Sequence, residues 1–334
     1  MEMTQAGPPG AGASFMQGRV GLGSSGLSAG RFFLGCAPLG GLYEAVTEQQ
    51  AEATLQEAWR LGVRAFDTAP HYGGGLSERR VGAFLSQQPR DAFVISTKVG
   101  RLLVEGSESA DAPPEFAGEA PVVRVRDYSA EGVRRSLEES LERLGLDRVD
   151  IALVHDPDDY LDDALNGAFP ALAELRSQGV VKAIGAGANA CAPLERIVAE
   201  TDVDCVLIAG RYSLLDRRAA DALLPLCERR GVGVLAAGVF NGEVLANPRP
   251  GAHFDYQIAS EEVVERALEM QRRCRARGVE LADVAVRFPL SHPAVSAVVV
   301  GARHPEEIRA DVAAFSREID PSLITELSEL TLAL

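Results

Sequence analysis

The sequence predicts an α/β protein and, within that class, a (β/α)8 TIM barrel with an N-terminal hairpin and long loops after strands 3 and 7. Short apolar runs rich in Val, Ile and Phe alternate with longer amphipathic segments, and there are eight such runs. Runs that stay apolar are typical of strands buried on both faces, as in a parallel sheet. Eight strands, each followed by a helix, match the barrel. A doubly wound sheet is the alternative architecture.

The strand candidates are bounded by Gly or Pro and are RFFLGC, VRAFD, AFVIST, VDIALV, VVKAIGA, DCVLIA, GVGVLAA and VSAVVVG. The first helix candidate, TEQQAEATLQEAWRLG, opens with the capping-box spacing Thr47 to Gln50 and ends at Gly62. SAEGVRRSLEESLERLG, DDALNGAFPALAELRSQG and DRRAADALLPLCERRG follow the same pattern. Residues 100–127 and 239–258 are insertions without clear periodicity, which is typical of functional lids or disordered segments.

Residues 1–18 are rich in Gly, Ala and Pro without periodicity, so we expect a disordered leader followed by one barrel domain over residues 19–334. A barrel of this type takes roughly 250 residues as one unit, so the chain length is compatible with a single domain.

Two glycine motifs precede the first strand. GLGSSG at residues 21–26 matches a dinucleotide fingerprint, and GLSAG at residues 26–30 matches a nucleophile elbow. Both motifs need a strand before them and a helix after them, which neither has here. We therefore predict a glycine-rich hairpin turn.

The composition excludes several function classes. The chain has 33 basic and 48 acidic residues and a net charge of −15, which disfavours nucleic acid and anionic membrane surfaces as partners. No apolar run approaches the roughly 20 residues that span a bilayer, and the start of the chain lacks a signal-peptide pattern. The five scattered cysteines form no C-x-x-C pair, which indicates reduced thiols in the cytoplasm and no zinc site. The oligomeric state is left open.

Four polar residues fall at the ends of consecutive strand candidates. Asp67 ends the second run, Lys98 the third and His155 the fourth, while Tyr72 lies in the loop directly after Asp67. Each residue alone is more often structural. Because the carboxyl ends of barrel strands carry the active site, we expect the four side chains to converge.

Together these residues suit proton transfer at a carbonyl or alcohol. Lys98 is expected to stabilise the Tyr72 phenolate and to lower its pKa from about 10. Asp67 holds the lysine, and a neutral His155 orients the substrate oxygen. The set lacks a nucleophile and a metal cluster, since the adjacent acids after the proline of HDPDD are interpreted as a solvated loop and Lys98 would oppose a cation. A cofactor is therefore expected to carry out the redox step.

The chain resembles the aldo-keto reductase family in FDTAPHYG, SERRVGAFL, STKVG, LVHDPDD, GAGANA, RYSLLD and VGARHPEEIRADVAAF, between about Arg19 and about Phe315. APLGGLYEAV, His71 and HDPDD look most like its sugar 1-dehydrogenase branch, which includes D-threo-aldose (L-fucose), L-galactose and pyridoxal 4-dehydrogenases. The resemblance implies a barrel that binds an extended nicotinamide cofactor, with Tyr72 as general acid/base and Asp67, Lys98 and His155 completing a catalytic tetrad.

The resemblance also implies a set of cofactor-binding residues. They are Asn189, Tyr212, Phe240, Gly301, Arg303, Glu307 and Asp311. The glutamine that the family commonly carries three positions before the Tyr212 equivalent is replaced by Ala209. Carboxylates at Glu307 and Asp311 would repel the 2′-phosphate of NADP, whereas Arg303 could pair with it. NAD is the preferred cofactor and NADP the alternative.

The expected reaction is NAD(P)-dependent oxidation of the anomeric hydroxyl of an aldose to a lactone. Pyridoxal, or another aldehyde or alcohol, is the alternative substrate. A nicotinamide-sensing regulatory subunit is the alternative from another functional class. Which sugar or aldehyde is used is left open.

Overall fold

The computed structural model describes residues 18–106, 116–118 and 121–333 of the chain. Residues 1–17 of the expected leader lie outside the described residues, as do residues 107–115 and 119–120 of the first insertion.

Eight parallel strands close into a barrel, each hydrogen-bonded to the strand before it, with the eighth pairing with the first. They are β1 Phe32–Gly35, β2 Ala65–Asp67, β3 Val94–Val99, β4 Ile151–His155, β5 Ala183–Ala188, β6 Cys205–Ala209, β7 Gly233–Ala237 and β8 Val295–Gly301. All eight fall within or overlap the predicted runs. The predicted barrel is confirmed, and the doubly wound alternative is wrong.

Helices surround the barrel. They are α1 Glu48–Arg60, α2 Leu76–Leu85, α3 Ala130–Leu144, α4 Phe169–Ser177, α5 Cys191–Glu200, α6 Leu223–Arg230, α7 Glu261–Ala276, α8 Leu281–Arg287, α9 Pro305–Phe315 and α10 Pro321–Leu327. Thr47 caps α1 by accepting from the Gln50 backbone, but the Gln50 side chain donates to the Arg303 carbonyl instead of completing the predicted capping box. Within the described residues, no helix is long and apolar enough to cross a membrane.

A hairpin of Arg19–Gly21 and Ser28–Gly30 covers the amino end of the barrel, as the glycine pattern predicts. Its apolar residues Leu22 and Leu27 are buried against the barrel interior. Gly23 has φ 56°, and a Cβ there would lie 1.9 Å from the Asp204 carbonyl oxygen. Glycine is therefore required where the hairpin meets the barrel.

The two insertions lie where the sequence predicts long loops, after β3 and β7. The first contains a β-hairpin that periodicity reasoning missed, in which Arg101–Glu105 pairs antiparallel with Val122–Arg126. The second runs through turns and includes the short ladder of His253–Phe254 with Gln257–Ile258. Both insertions contribute residues to the carboxyl end of the barrel, so they position the site described below.

Candidate active site

The barrel brings Asp67, Tyr72, Lys98 and His155 to one cavity at the carboxyl ends of its strands. Asp67 and His155 are the last residues of β2 and β4, Lys98 lies next to the end of β3, and Tyr72 lies in the turn after β2. All four line a cavity of about 460 Å³. The convergence expected from strand-end positions is therefore present in the structure.

Lys98 and Asp67 form a buried ion pair. Lys98 Nζ donates to Asp67 Oδ2 at 2.7 Å and to the Thr68 carbonyl at 3.0 Å. Burial alone would lower the pKa of Lys98, but the charge of Asp67 and the Tyr72 phenol raise it above its ordinary value. Lys98 is therefore a fixed cation at neutral pH. Asp67 Oδ1 is buried without a hydrogen-bond partner among the described residues.

Tyr72 lies beside this cation, with Lys98 Nζ 4.7 Å from the centre of its ring. Burial raises the pKa of Tyr72 to about 12, and the opposing effect of Lys98 does not overcome it. The expectation of a lowered tyrosine pKa is therefore wrong for the protein alone, because the desolvation of the phenolate outweighs the nearby charge. At neutral pH Tyr72 is a phenol.

The glycines after Tyr72 allow its turn to pack closely. Gly73 has φ 63°, and a Cβ there would lie 2.3 Å from the Gly40 carbonyl oxygen. Gly75 has φ 82° and immediately precedes α2. Only glycine fits such positions without strain, so the run fixes the tyrosine at the mouth of the barrel.

His155 is neutral in this setting. Burial lowers its pKa well below the ordinary value, and the cations Arg101 and Lys98 lower it further. Its ring stands edge-on to that of Tyr72, with the centroids 6.0 Å apart. Nδ1 of His155 is buried without a hydrogen-bond partner among the described residues. The imidazole and the phenol therefore lie side by side on the cavity wall.

Several cavity residues were missed by sequence reasoning. They are Tyr43, His71, Arg101, Phe116, Asp156 and Tyr256. Asp158 and Asp159, the adjacent acids after the proline of HDPDD, are exposed as predicted, whereas Asp156 before the proline lines the cavity and pairs with Arg101. Its position directly after His155 at a strand end was the available signal. Tyr43 and His71 lie in the quoted segments APLGGLYEAV and FDTAPHYG, and the remaining three residues come from the two long insertions.

Of the cofactor-binding candidates, Asn189, Phe240, Gly301 and Arg303 line the same cavity. Tyr212 does not, because its buried ring packs against Phe288, with 5.0 Å between the ring centroids.

Glu307 and Asp311 lie on α9, outside the residues that line the cavity. Glu307 Oε2 accepts from the Arg303 backbone at 2.8 Å, and the Arg303 guanidinium pairs with Glu44 at 3.1 Å. Burial and the neighbouring Glu307 raise the pKa of Asp311 to about 8. The expectation of two negative charges here is therefore corrected, since Asp311 is mainly protonated at neutral pH.

Comparison with known proteins identifies the family. The model of the Aldo/keto reductase family matches residues 31–331. A D-threo-aldose 1-dehydrogenase from Pseudomonas sp is 42% identical over 316 residues, covering 92% of this chain and 96% of the relative. A pyridoxal 4-dehydrogenase from Microbacterium luteolum is 40% identical, covering 92% and 95%, respectively. An L-galactose dehydrogenase from Arabidopsis thaliana is 33% identical, covering 92% and 88%.

Among solved structures, the holo form of an aldo-keto reductase from Bacillus halodurans aligns with a TM-score of 0.77. It is 22% identical and covers 95% of this chain and 97% of that one, so it supports the fold alone. The family match and the sequence relatives carry the assignment: the chain belongs to the aldo/keto reductase family and is an oxidoreductase.

Proposed function

We propose that the protein is an NAD-linked dehydrogenase that oxidises the anomeric hydroxyl of an aldose to a lactone. The observation that carries the proposal is the buried Lys98–Asp67 pair held against Tyr72 on the wall of the cavity. The 42% identity to a D-threo-aldose 1-dehydrogenase and the 33% identity to an L-galactose dehydrogenase support a sugar as the substrate.

Tyr72 takes the proton of the anomeric hydroxyl in this proposal. Lys98 stabilises the phenolate that must form first, and Asp67 keeps the lysine charged and in place. His155, held neutral by burial and nearby cations, orients the substrate oxygen by a hydrogen bond without competing for the proton. The remaining chemistry is supplied by the nicotinamide, which accepts a hydride from C1 when bound.

The cavity fits the nicotinamide cofactors, NAD(P)(H), that enzymes of this family use. Its wall includes Gly187, Gly210 and Gly238, and a Cβ at Gly187 would lie 3.5 Å from Cε of Lys98. Glycines here leave space beside the catalytic candidates for a flat ring. Asn189 and Phe240 would hold the nicotinamide end of the cofactor. Gly301 and Arg303 would hold the part of the cofactor that lies toward α9.

The charges around α9 favour NAD over NADP. Arg303 is occupied by Glu44 and by Glu307, so its charge is already balanced. The Glu307 carboxylate can accept a hydrogen bond from a ribose 2′-hydroxyl and would repel a 2′-phosphate.

The direct test is the absorbance of reduced nicotinamide with NAD or NADP beside L-fucose, D-arabinose, L-galactose and pyridoxal. We expect NAD to be reduced with at least one aldose, and lactone to form in equal amount. Cofactor binding without reduction in the presence of any substrate would contradict the proposal and favour a nicotinamide-sensing role.

Pyridoxal oxidation is the second candidate. It is supported by the 40% identity to a pyridoxal 4-dehydrogenase and by the aromatic side chains Phe116 and Tyr256 along the cavity. Activity with pyridoxal and none with the sugars would replace the aldose by an aromatic aldehyde while leaving the proposed proton transfer in place.

A further inference from the structure

The cavity contains a charged pair that the proposed chemistry does not use. Arg101, the first residue of the strand Arg101–Glu105, binds Asp156, the residue after β4, through its guanidinium. Both residues line the cavity, and their side chains are only 12% and 24% exposed, respectively. Partial burial costs this ion pair desolvation energy that a surface pair avoids, and its place on the cavity wall brings it within reach of a substrate.

The backbone at Asp156 is fixed in an unusual conformation. Asp156 has φ 41°, a region that residues other than glycine seldom adopt. The Tyr128 hydroxyl donates to the carbonyls of both His155 and Asp156, at 2.8 and 2.9 Å, and the Asp156 N–H donates to the Gly187 carbonyl at 2.9 Å. Such strain persists where surrounding contacts enforce it, and it clusters at functional sites.

These contacts place the Asp156 carboxylate beside the reacting position. Its Oδ2 lies 3.6 Å from Nε2 of His155, the residue proposed to orient the substrate oxygen. A group on the carbon next to the reacting carbon would therefore come near Asp156 and Arg101.

The pair is chemically complementary to a hydroxyl group. A carboxylate only accepts hydrogen bonds and a guanidinium only donates them, whereas a hydroxyl does both. The Arg101 guanidinium carries several N–H donors, of which Asp156 engages one on Nη2.

We propose that Arg101 and Asp156 determine substrate specificity by binding the hydroxyl adjacent to the anomeric carbon. The Asp156 carboxylate accepts a hydrogen bond from this hydroxyl group, and the Arg101 guanidinium donates one to the hydroxyl oxygen. This inference rests on the proposed function and narrows it, since the site selects aldoses that carry a 2-hydroxyl and discriminates against 2-deoxy sugars.

The test compares kcat/KM for L-fucose and 2-deoxy-L-fucose in the wild-type protein and in Asp156→Asn. Asparagine tolerates positive φ, so the turn is retained while the charge is lost. We expect the ratio of the two kcat/KM values to fall by roughly 10-fold in the variant, because the amide oxygen still accepts the hydrogen bond but the charge that strengthens it is lost. Differences in intrinsic reactivity between the sugars cancel, because the same two sugars are compared in both proteins.

Asp162→Asn is the matched control. It removes the same charge from an exposed ion pair with Arg196, outside the cavity, and should keep the wild-type ratio. If thermal denaturation shows that Asp156→Asn does not fold, Arg101→Lys carries the test. Lysine keeps the charge but lacks the planar set of guanidinium donors, so the ratio should again fall.

An unchanged ratio in the folded variants, with a wild-type protein that oxidises L-fucose, would overturn this inference alone. A wild-type protein that oxidises none of the aldoses would overturn the proposed function and this inference together.

Discussion

Buried aspartates occur at both ends of the barrel, but their surroundings differ. At the amino end, Asp150 binds Arg90 at 2.8 Å, Lys182 at 3.2 Å and the backbone N–H of Ile95 at 3.0 Å, so both of its carboxylate oxygens are satisfied.

Asp204 occupies an equivalent position two strands later. It binds Arg176 at 2.7 Å, the backbone N–H of Ile184 at 2.9 Å and the Ser24 hydroxyl at 3.2 Å, again with both oxygens paired. Asp150 and Asp204 link the beginnings of neighbouring strands, and neither has an unpaired carboxylate oxygen for a ligand.

At the carboxyl end, Asp67 binds Lys98 through one oxygen and leaves the other without a partner among the described residues. Within the described part of the chain, unpaired buried nitrogens occur at both ends, on His155 and Arg101 here and on Arg90 beside Asp150, so the difference lies in the carboxylates. Full pairing of a buried charge serves stability, whereas incomplete pairing in a cavity indicates groups reserved for substrate or cofactor. The predictions below test that distinction.

The largest expected effect is on turnover in Tyr72→Phe. Removing the hydroxyl removes the proposed acid/base, so turnover should fall roughly 10²- to 10⁴-fold. NAD binding, measured by titration, should be unchanged. Tyr160→Phe is the control, since this ring is 40% exposed and does not line the cavity. Wild-type turnover in Tyr72→Phe would remove Tyr72 from the mechanism.

Matched substitutions at the two ends should separate stability from turnover. Asp204→Asn should lower the free energy of unfolding by about 2–3 kcal/mol, because its charge-assisted hydrogen bonds weaken. Its turnover should stay near wild type in the folded protein. Asp67→Asn should lower turnover by roughly 10-fold or more, since Lys98 then loses the charge that holds it protonated. Chemical denaturation measures the free energy of unfolding, and initial rates measure turnover. Equal losses of turnover in the two variants would contradict the distinction between the two ends of the barrel.

Oxidation should accelerate with pH. Since the pKa of Tyr72 is raised to about 12, the phenolate fraction increases about tenfold per pH unit below that value. We expect kcat/KM for oxidation to rise between about pH 7 and 10, without an inflection from His155, whose pKa is lowered well below its usual range. A plateau beginning near neutral pH would show that another group is the base.

The smallest expected effect concerns the cofactor. Glu307→Gln removes the carboxylate proposed to favour a 2′-hydroxyl, so the preference for NAD over NADP should fall by several-fold, as for one exposed charge. The ratio of kcat/KM for the two cofactors measures it. Glu306→Gln, which alters the adjacent exposed carboxylate, should change that ratio less.

The fold could be predicted because eight apolar runs identify strands buried on both faces. The convergence of Asp67, Lys98 and His155 could be predicted because each stands at a strand end. The same positions separate Asp67, which ends its strand, from Asp150 and Asp204, which precede theirs. By contrast, the number of partners of each aspartate could not be predicted, since it depends on packing.

Burial explains the other differences. The tyrosine pKa was expected to fall because the sequence indicates a nearby lysine but not the desolvation that opposes it. Asp158 and Asp159 are exposed as expected, but Asp156 was not singled out as a cavity residue although it directly follows His155. The strand Val122–Arg126 does show apolar and basic alternation, which was a usable signal for the missed hairpin.

The central claim is that the cavity moves a hydride from C1 of an aldose while Tyr72 takes the hydroxyl proton. The most direct measurement is mass spectrometry of the cofactor after turnover of L-fucose deuterated at C1, in the wild-type protein and in Tyr72→Phe. We predict that the wild-type protein forms reduced nicotinamide carrying one deuterium. In the same reaction time the variant should form almost no labelled reduced nicotinamide. Reduced nicotinamide without deuterium, or equal transfer by both proteins, would contradict the account.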